Sequence, residues 1–190
     1  RERLTSRGSS EDRGGFEVDP RQARETYPYE TPEGATLKYL LAFVLPHDLK
    51  NELIHDLFLS HVGDPREYAA RWYLQWDQII AIESAGHTIG GHGHDHEPYA
   101  RLTVSEQARD MVRCAAILRE GLGAGRRPFS YPYGSQDEDV ARRCAFCGFV
   151  NGFTTREGWI EASDDVHSLS RVDTIHVDAM LEREFQCQKA

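Results

Sequence analysis

A chain of 190 residues with 39% hydrophobic content is long enough for one domain with a sizeable core, which excludes disorder along its whole length. Its formal net charge of -9 argues against a nucleic-acid partner, because neutralising phosphates needs a basic face and none is visible. The best candidate for a membrane span, Leu37 to Leu45, contains Lys38 and has about half the length required, so no crossing is expected.

Residues 1–34 are rich in Arg, Glu, Gly, Ser and Pro, and Pro28 and Pro32 interrupt any long helix; a polar, loosely ordered lead-in is expected. Because Arg1 is not methionine, the natural start is expected to lie elsewhere, with a targeting segment already lost or the reading frame entered partway. Residues 35–73 read as a mainly helical, insert-like region. Leu37, Leu41, Val44 and Leu45 recur at helical spacing, yet the unbroken run Leu40 to Leu45, stopped by Pro46, suits a buried strand equally well. The spacing of Leu53, Ile54, Leu57 and Phe58 predicts a helix from about Asp48 to His61, and another begins near Asp64-Pro65. Tyr68, Trp72, Leu74, Trp76, Ile79, Ile80 and Ile82 form a stripe expected to be core.

Residues 74–190 read as an α/β domain. His87 to Gly90 is a short strand candidate. Thr103-Val104-Ser105-Glu106 is a capping box opening a helix, with Ala108, Met111, Val112, Ala115 and Leu118 on its apolar side and Gly121 as its stop. Arg127 to Tyr131 predicts a strand, Asp137 to Phe146 a helix, Gly148 to Thr154 a strand, and Leu169 to Ile175 a further strand before a terminal helix. This alternation implies parallel strands joined by right-handed crossovers. Cys114, Cys144, Cys147 and Cys187 form no regular framework, which favours reduced thiols and a cytoplasmic location; Cys144-Ala-Phe-Cys147 reads as helix packing.

Chemistry concentrates between Gly86 and Pro98, where His87, His92, His94 and His96 accompany Asp95 in a glycine-rich turn that follows a helix and a strand. Neutral imidazoles bind borderline cations such as zinc, and glycines let the backbone bend so that rings converge. A solvated polar turn is the plain alternative. His-Glu-x-x-His is absent, and His-Gly-His-Asp-His is one residue short of the His-x-His-x-Asp-His pattern of metallo-β-lactamase-type hydrolases.

Ala85-Gly86-His87-Thr88-Ile89-Gly90-Gly91-His92-Gly93-His94-Asp95-His96, preceded by Leu74-Gln75-Trp76-Asp77 and followed by Phe129-Ser130-Tyr131-Pro132-Tyr133-Gly134, resembles the polysaccharide deacetylase family, also called the NodB homology domain. The resemblance runs from about Leu74 to Asp173. It implies a partial, irregular (β/α) barrel behind an N-terminal helical region, and a metal-dependent hydrolase that removes N-acetyl or O-acetyl groups from a carbohydrate. It places His92 and His96 as metal ligands, with zinc as the expected divalent ion. Tyr133 falls on the residue whose backbone N–H holds the developing oxyanion, and Arg171 on an arginine that orients a carboxylate. His176 is the candidate proton donor.

Two departures accompany it: Gly93 replaces the family's hydroxyl residue, and Ser130 stands where many members carry arginine. A third is larger, because the family's Thr-Phe-Asp-Asp segment, with its general base and third metal ligand, has no counterpart. Asp164-Asp165 is late, and Asp48 suits a helix N-cap better than a catalytic carboxylate. Two readings therefore stay open: a deacetylase, or a non-catalytic carbohydrate-binding relative. The aromatics Trp76, Tyr99, Tyr131, Tyr133 and Trp159 suit a sugar groove in either, with core burial as the plainer fate. An unpaired sheet edge would favour cover by the N-terminal region or a homo-oligomer.

Overall fold

The computed structural model describes residues 15–178 and Leu181; residues 1–14, Cys187 and most of the expected terminal helix lie outside the described residues. The chain divides into two compact units, Arg1–Tyr73 and Leu74–Ala190.

The first unit is helical among its described residues. Three helices open alike, with a capping side chain followed by proline: α1 (Pro20–Thr26) on Asp19, α2 (Pro32–Tyr39) on Thr31, and α4 (Pro65–Trp72) on Asp64. Proline fits the first helical position because its missing N–H has no partner there anyway. This corrects the expectation of a loose lead-in over the described part of residues 1–34, where Pro32 starts a helix rather than interrupting one. Leu40–Val44, the run that suited a strand equally well, forms a π-helical turn closed by the Leu45 amide on the Leu40 carbonyl at 2.9 Å, and Leu45 is fully buried. Pro46 then ends that turn and begins α3 (His47–His61). Asp48 lies inside the first turn of α3, not at its cap, where its charge favours the positive end of the helix.

In the second unit α5 (Trp76–Ser84) precedes the histidine loop, and α6 (Val104–Leu122) follows it, opened by the expected capping box of Thr103 and Glu106. The remainder alternates: β1 (Arg127–Ser130), α7 (Glu138–Phe146), β2 (Phe149–Glu157) and β3 (Leu169–Arg171). All pairings in the sheet are parallel, in the order β1-β2-β3, and the sheet is open rather than closed into a barrel. Phe129 and Phe149 turn one way into a core with Met111 and Cys114 of α6 and Val140 and Cys144 of α7. Pro128, Ser130 and Phe153 are only half-buried and line a hollow of about 270 Å³ with Gly90, Gly91 and His92.

Two expectations need correction. His87–Gly90 is not a strand; the backbone pairs with the sheet only just after it, at Gly91, whose N–H donates to Pro128 O and whose carbonyl accepts from Ser130 N, both at 2.9 Å. One residue exchanging two bonds makes a bridge, not a ladder. Nor is the predicted aromatic stripe a core, since Trp72, Leu74, Trp76 and Ile80 are 65%, 56%, 42% and 47% exposed. Extended backbone at Tyr73 and Gln75 splits it between α4 and α5, so its members share no helical face. The last expected strand stops at Arg171, and Thr174–His176 form a 3-10 turn capped by Asp173. No helix among the described residues is long and apolar enough to cross a membrane.

Candidate metal centre

The Gly91 bridge delivers His92 to the C-terminal end of β1. There its Nδ1 stands 2.6 Å from the carbonyl oxygen of Ser130. A carbonyl can only accept, so Nδ1 carries the proton and Nε2 keeps the lone pair that a cation requires. This is the arrangement in which metal-ligating imidazoles are held.

His96 closes the loop with φ at 54°, and its ring lies 4.8 Å from that of His92, inclined by 70°. On its other side the ring of Tyr133 lies 5.1 Å away. Tyr133 has φ at 57°, and these two are the only non-glycine residues with positive φ among the described residues. Left-handed backbone at such residues costs about 1–3 kcal/mol each and persists only where its surroundings impose it. The two strained residues therefore face each other at the point where the two motifs meet.

Both loops are held from below. Asp110 of α6 accepts hydrogen bonds from the backbone N–H groups of His94 and Asp95, at 2.9 and 2.8 Å, and from Tyr99 Oη at 2.5 Å. Gly93, at φ +74°, allows the loop to turn above that carboxylate, so Asp110 supplies an anchor where the resemblance expects a hydroxyl side chain. Tyr131 is buried and donates to His167 O at 2.8 Å. Burial raises both the Tyr99 and Tyr131 phenols, so they act as neutral donors. Tyr99 and Tyr131 are core residues, while Tyr133, Trp76 and Trp159 remain exposed.

Arg171 reaches the site through Ser130: its Nη1 donates to Ser130 Oγ at 3.3 Å, and the carbonyl of the same serine holds His92. His176 Nδ1 lies 2.9 Å from Glu157 Oε1. Asp164 and Asp165 cap their own turn, accepting from Glu161 N and His167 N, and Asp95 stands beside His94. The structure thus brings His92, His96 and Tyr133 together and links Arg171 to them. No group of three or more His, Cys, Asp or Glu able to hold a metal is assembled among the described residues. Burial pushes the Cys144 thiol up to about 12 and raises Cys114 and Cys147 as well, so the Cys-x-x-Cys pair carries no thiolate at neutral pH.

Asp110 and Tyr99 escaped sequence reasoning as parts of the site. A signal existed: Gln107, Asp110, Met111 and Cys114 share the buried face of α6, and two polar residues on such a face call for partners.

The sequence pattern of the polysaccharide deacetylase family matches residues 46–152, more than half of the chain. Among solved structures, the Streptococcus pyogenes deacetylase PplD in complex with acetate is similar at 22% identity and a TM-score of 0.50, covering 52% of this chain and 44% of that one. IcaB from Ammonifex degensii is similar at 27% identity and a TM-score of 0.47, covering 56% and 51%. The BpsB deacetylase domain from Bordetella bronchiseptica is similar at 18% identity and a TM-score of 0.47, covering 53% and 49%. The chain spans about half the length of these structures. No curated protein matches it.

Proposed function

The chain belongs to the polysaccharide deacetylase family, and from that premise we propose that it hydrolyses the carbon–nitrogen bond of N-acetyl groups on a carbohydrate, with a divalent ion, zinc, held by His92 and His96. The observation that carries this reading is the 2.6 Å contact of His92 Nδ1 with the Ser130 carbonyl, with the His96 ring 4.8 Å away. Two adjacent imidazoles, one of them oriented by a carbonyl on its Nδ1, would suit a borderline cation. When bound, such an ion lowers the pKa of water towards neutrality and polarises an amide carbonyl.

The chain's own residues divide the remaining work. The backbone N–H of Tyr133 is the donor for the developing oxyanion, in a turn whose strained φ presets its direction. Arg171 holds the end of β1 through Ser130 and adds positive charge beside the site. His176, whose Nδ1 lies 2.9 Å from Glu157 Oε1, is the candidate proton donor to the departing amine.

A second reading rests on the absence of a third metal donor among the described residues: the chain binds carbohydrate without cleaving it. Acetate release from N-acetylated glucosamine oligomers, measured with the full chain and zinc, separates the two. The deacetylase reading expects release that a chelator stops. Sugar binding that survives chelation, with no acetate formed, supports the second reading and overturns the first.

A further inference from the structure

Two consecutive backbone amides of the histidine loop end on one side chain of α6. Asp110 Oδ2 accepts from His94 N at 2.9 Å and from Asp95 N at 2.8 Å. The Asp110 side chain is buried, at 5% exposure. The second oxygen of Asp110 accepts from Tyr99 Oη, and Tyr99 is itself fully buried, so the carboxylate is fixed from two directions.

Residues 92–96 form no helix or strand, and beyond Gly91 the loop makes no bridge to the sheet. The loop's path is therefore set from outside. An ionised acceptor shared by two N–H groups holds them more firmly than a neutral one, and removing it leaves both part-buried donors without that partner. Metal–nitrogen bonds tolerate only about 0.2 Å of error, so whatever fixes the path between His92 and His96 also fixes whether their rings can share an ion.

We propose that Asp110 is the positioning residue of the metal centre, setting the span between His92 and His96 through the loop amides. The proposal rests on the reading of His92 and His96 as metal ligands.

The test is zinc affinity of the full chain, measured by competition with a chromogenic chelator, beside the folded fraction from circular dichroism. Asp110→Ala should weaken zinc binding by about tenfold or more at equal folded fraction, on the scale of lost supporting contacts in metal sites. Asp110→Asn, whose amide oxygen still accepts both N–H groups, should restore affinity to within a few-fold of the unaltered chain. If the alanine chain does not fold, Asp110→Ser, whose hydroxyl is too short to reach both amides, takes its place with the same expectation. Zinc binding that falls only in step with the folded fraction, or is unchanged, overturns the proposal while leaving the metal reading intact. An unaltered chain that takes up no zinc overturns the metal reading, and this proposal with it.

Discussion

The two loops that meet at the His96–Tyr133 ring contact are held by opposite means. Residues 92–96 hang from polar anchors, with the Ser130 carbonyl and Asp110 taking their hydrogen bonds. The turn at Tyr131–Gly134 is held chiefly by packing: Tyr131 and Pro132 are buried, and a Cβ on Gly134 would meet Thr155 Oγ1 at 2.1 Å. The difference teaches that the histidine loop can be loosened without opening the core, whereas the turn cannot. Metal affinity and stability should therefore respond to different substitutions.

The substitution that erases the distinction is Phe129→Ala, because Phe129 is fully buried and lies beneath both loops, against Gly91 and the Tyr131 ring. We expect a loss of about 3–5 kcal/mol in chemical denaturation, with zinc binding lost alongside. A folded Phe129→Ala chain with unchanged zinc affinity would break the comparison.

Alkaline pH should act on the packed side. Burial pushes the Cys144 thiol from 9.0 up to about 12 and raises the Tyr99 and Tyr131 phenols in the same direction. The folded state thus holds protons that the unfolded chain releases, so this contribution is complete below pH 9 and is lost as pH climbs towards 12. Denaturation midpoints at pH 8, 10 and 11 should fall in that order, and Cys144→Ala should flatten the decline. A flat profile in the unaltered chain would contradict the burial of these groups.

Gly134→Ala sharpens the contrast, since left-handed backbone at φ +67° and the Thr155 contact together should cost at least about 1–3 kcal/mol. Thermal unfolding reads that loss. Smallest is Thr103→Ala, which removes the α6 cap at about 1 kcal/mol. Far from the Asp110 turn, it should leave zinc affinity where it was; a parallel loss of zinc would mean that the loop senses helix stability in general.

Much of the second unit was legible because its signals are local. The Thr103–Glu106 capping box, β1 and α7 sit within a residue or two of their expected places, since capping chemistry and periodicity are written in neighbouring residues. Leu40 to Leu45 was not legible, because an apolar run stopped by proline suits a strand or a helix until its hydrogen bonds are known. The same holds for His87 to Gly90, which has strand composition but a single bridging residue at its end. The histidine cluster was visible from residue type, and the family resemblance selected His92 and His96 within it. The Asp110 carboxylate was not visible, because its partners lie 15 and 16 residues away in a loop with no periodicity. The Arg171–Ser130 contact is hidden for the same reason, as only parallel pairing through β2 brings those ends together.

The central claim is that His92 and His96 share one ion, and X-ray absorption at the zinc edge of the zinc-loaded full chain tests it most directly. The account predicts scattering from two imidazoles with nitrogens at about 2.0–2.1 Å, reduced to one or none in His92→Ala and His96→Ala. Zinc surrounded by oxygen alone, or a spectrum that neither substitution changes, would contradict it.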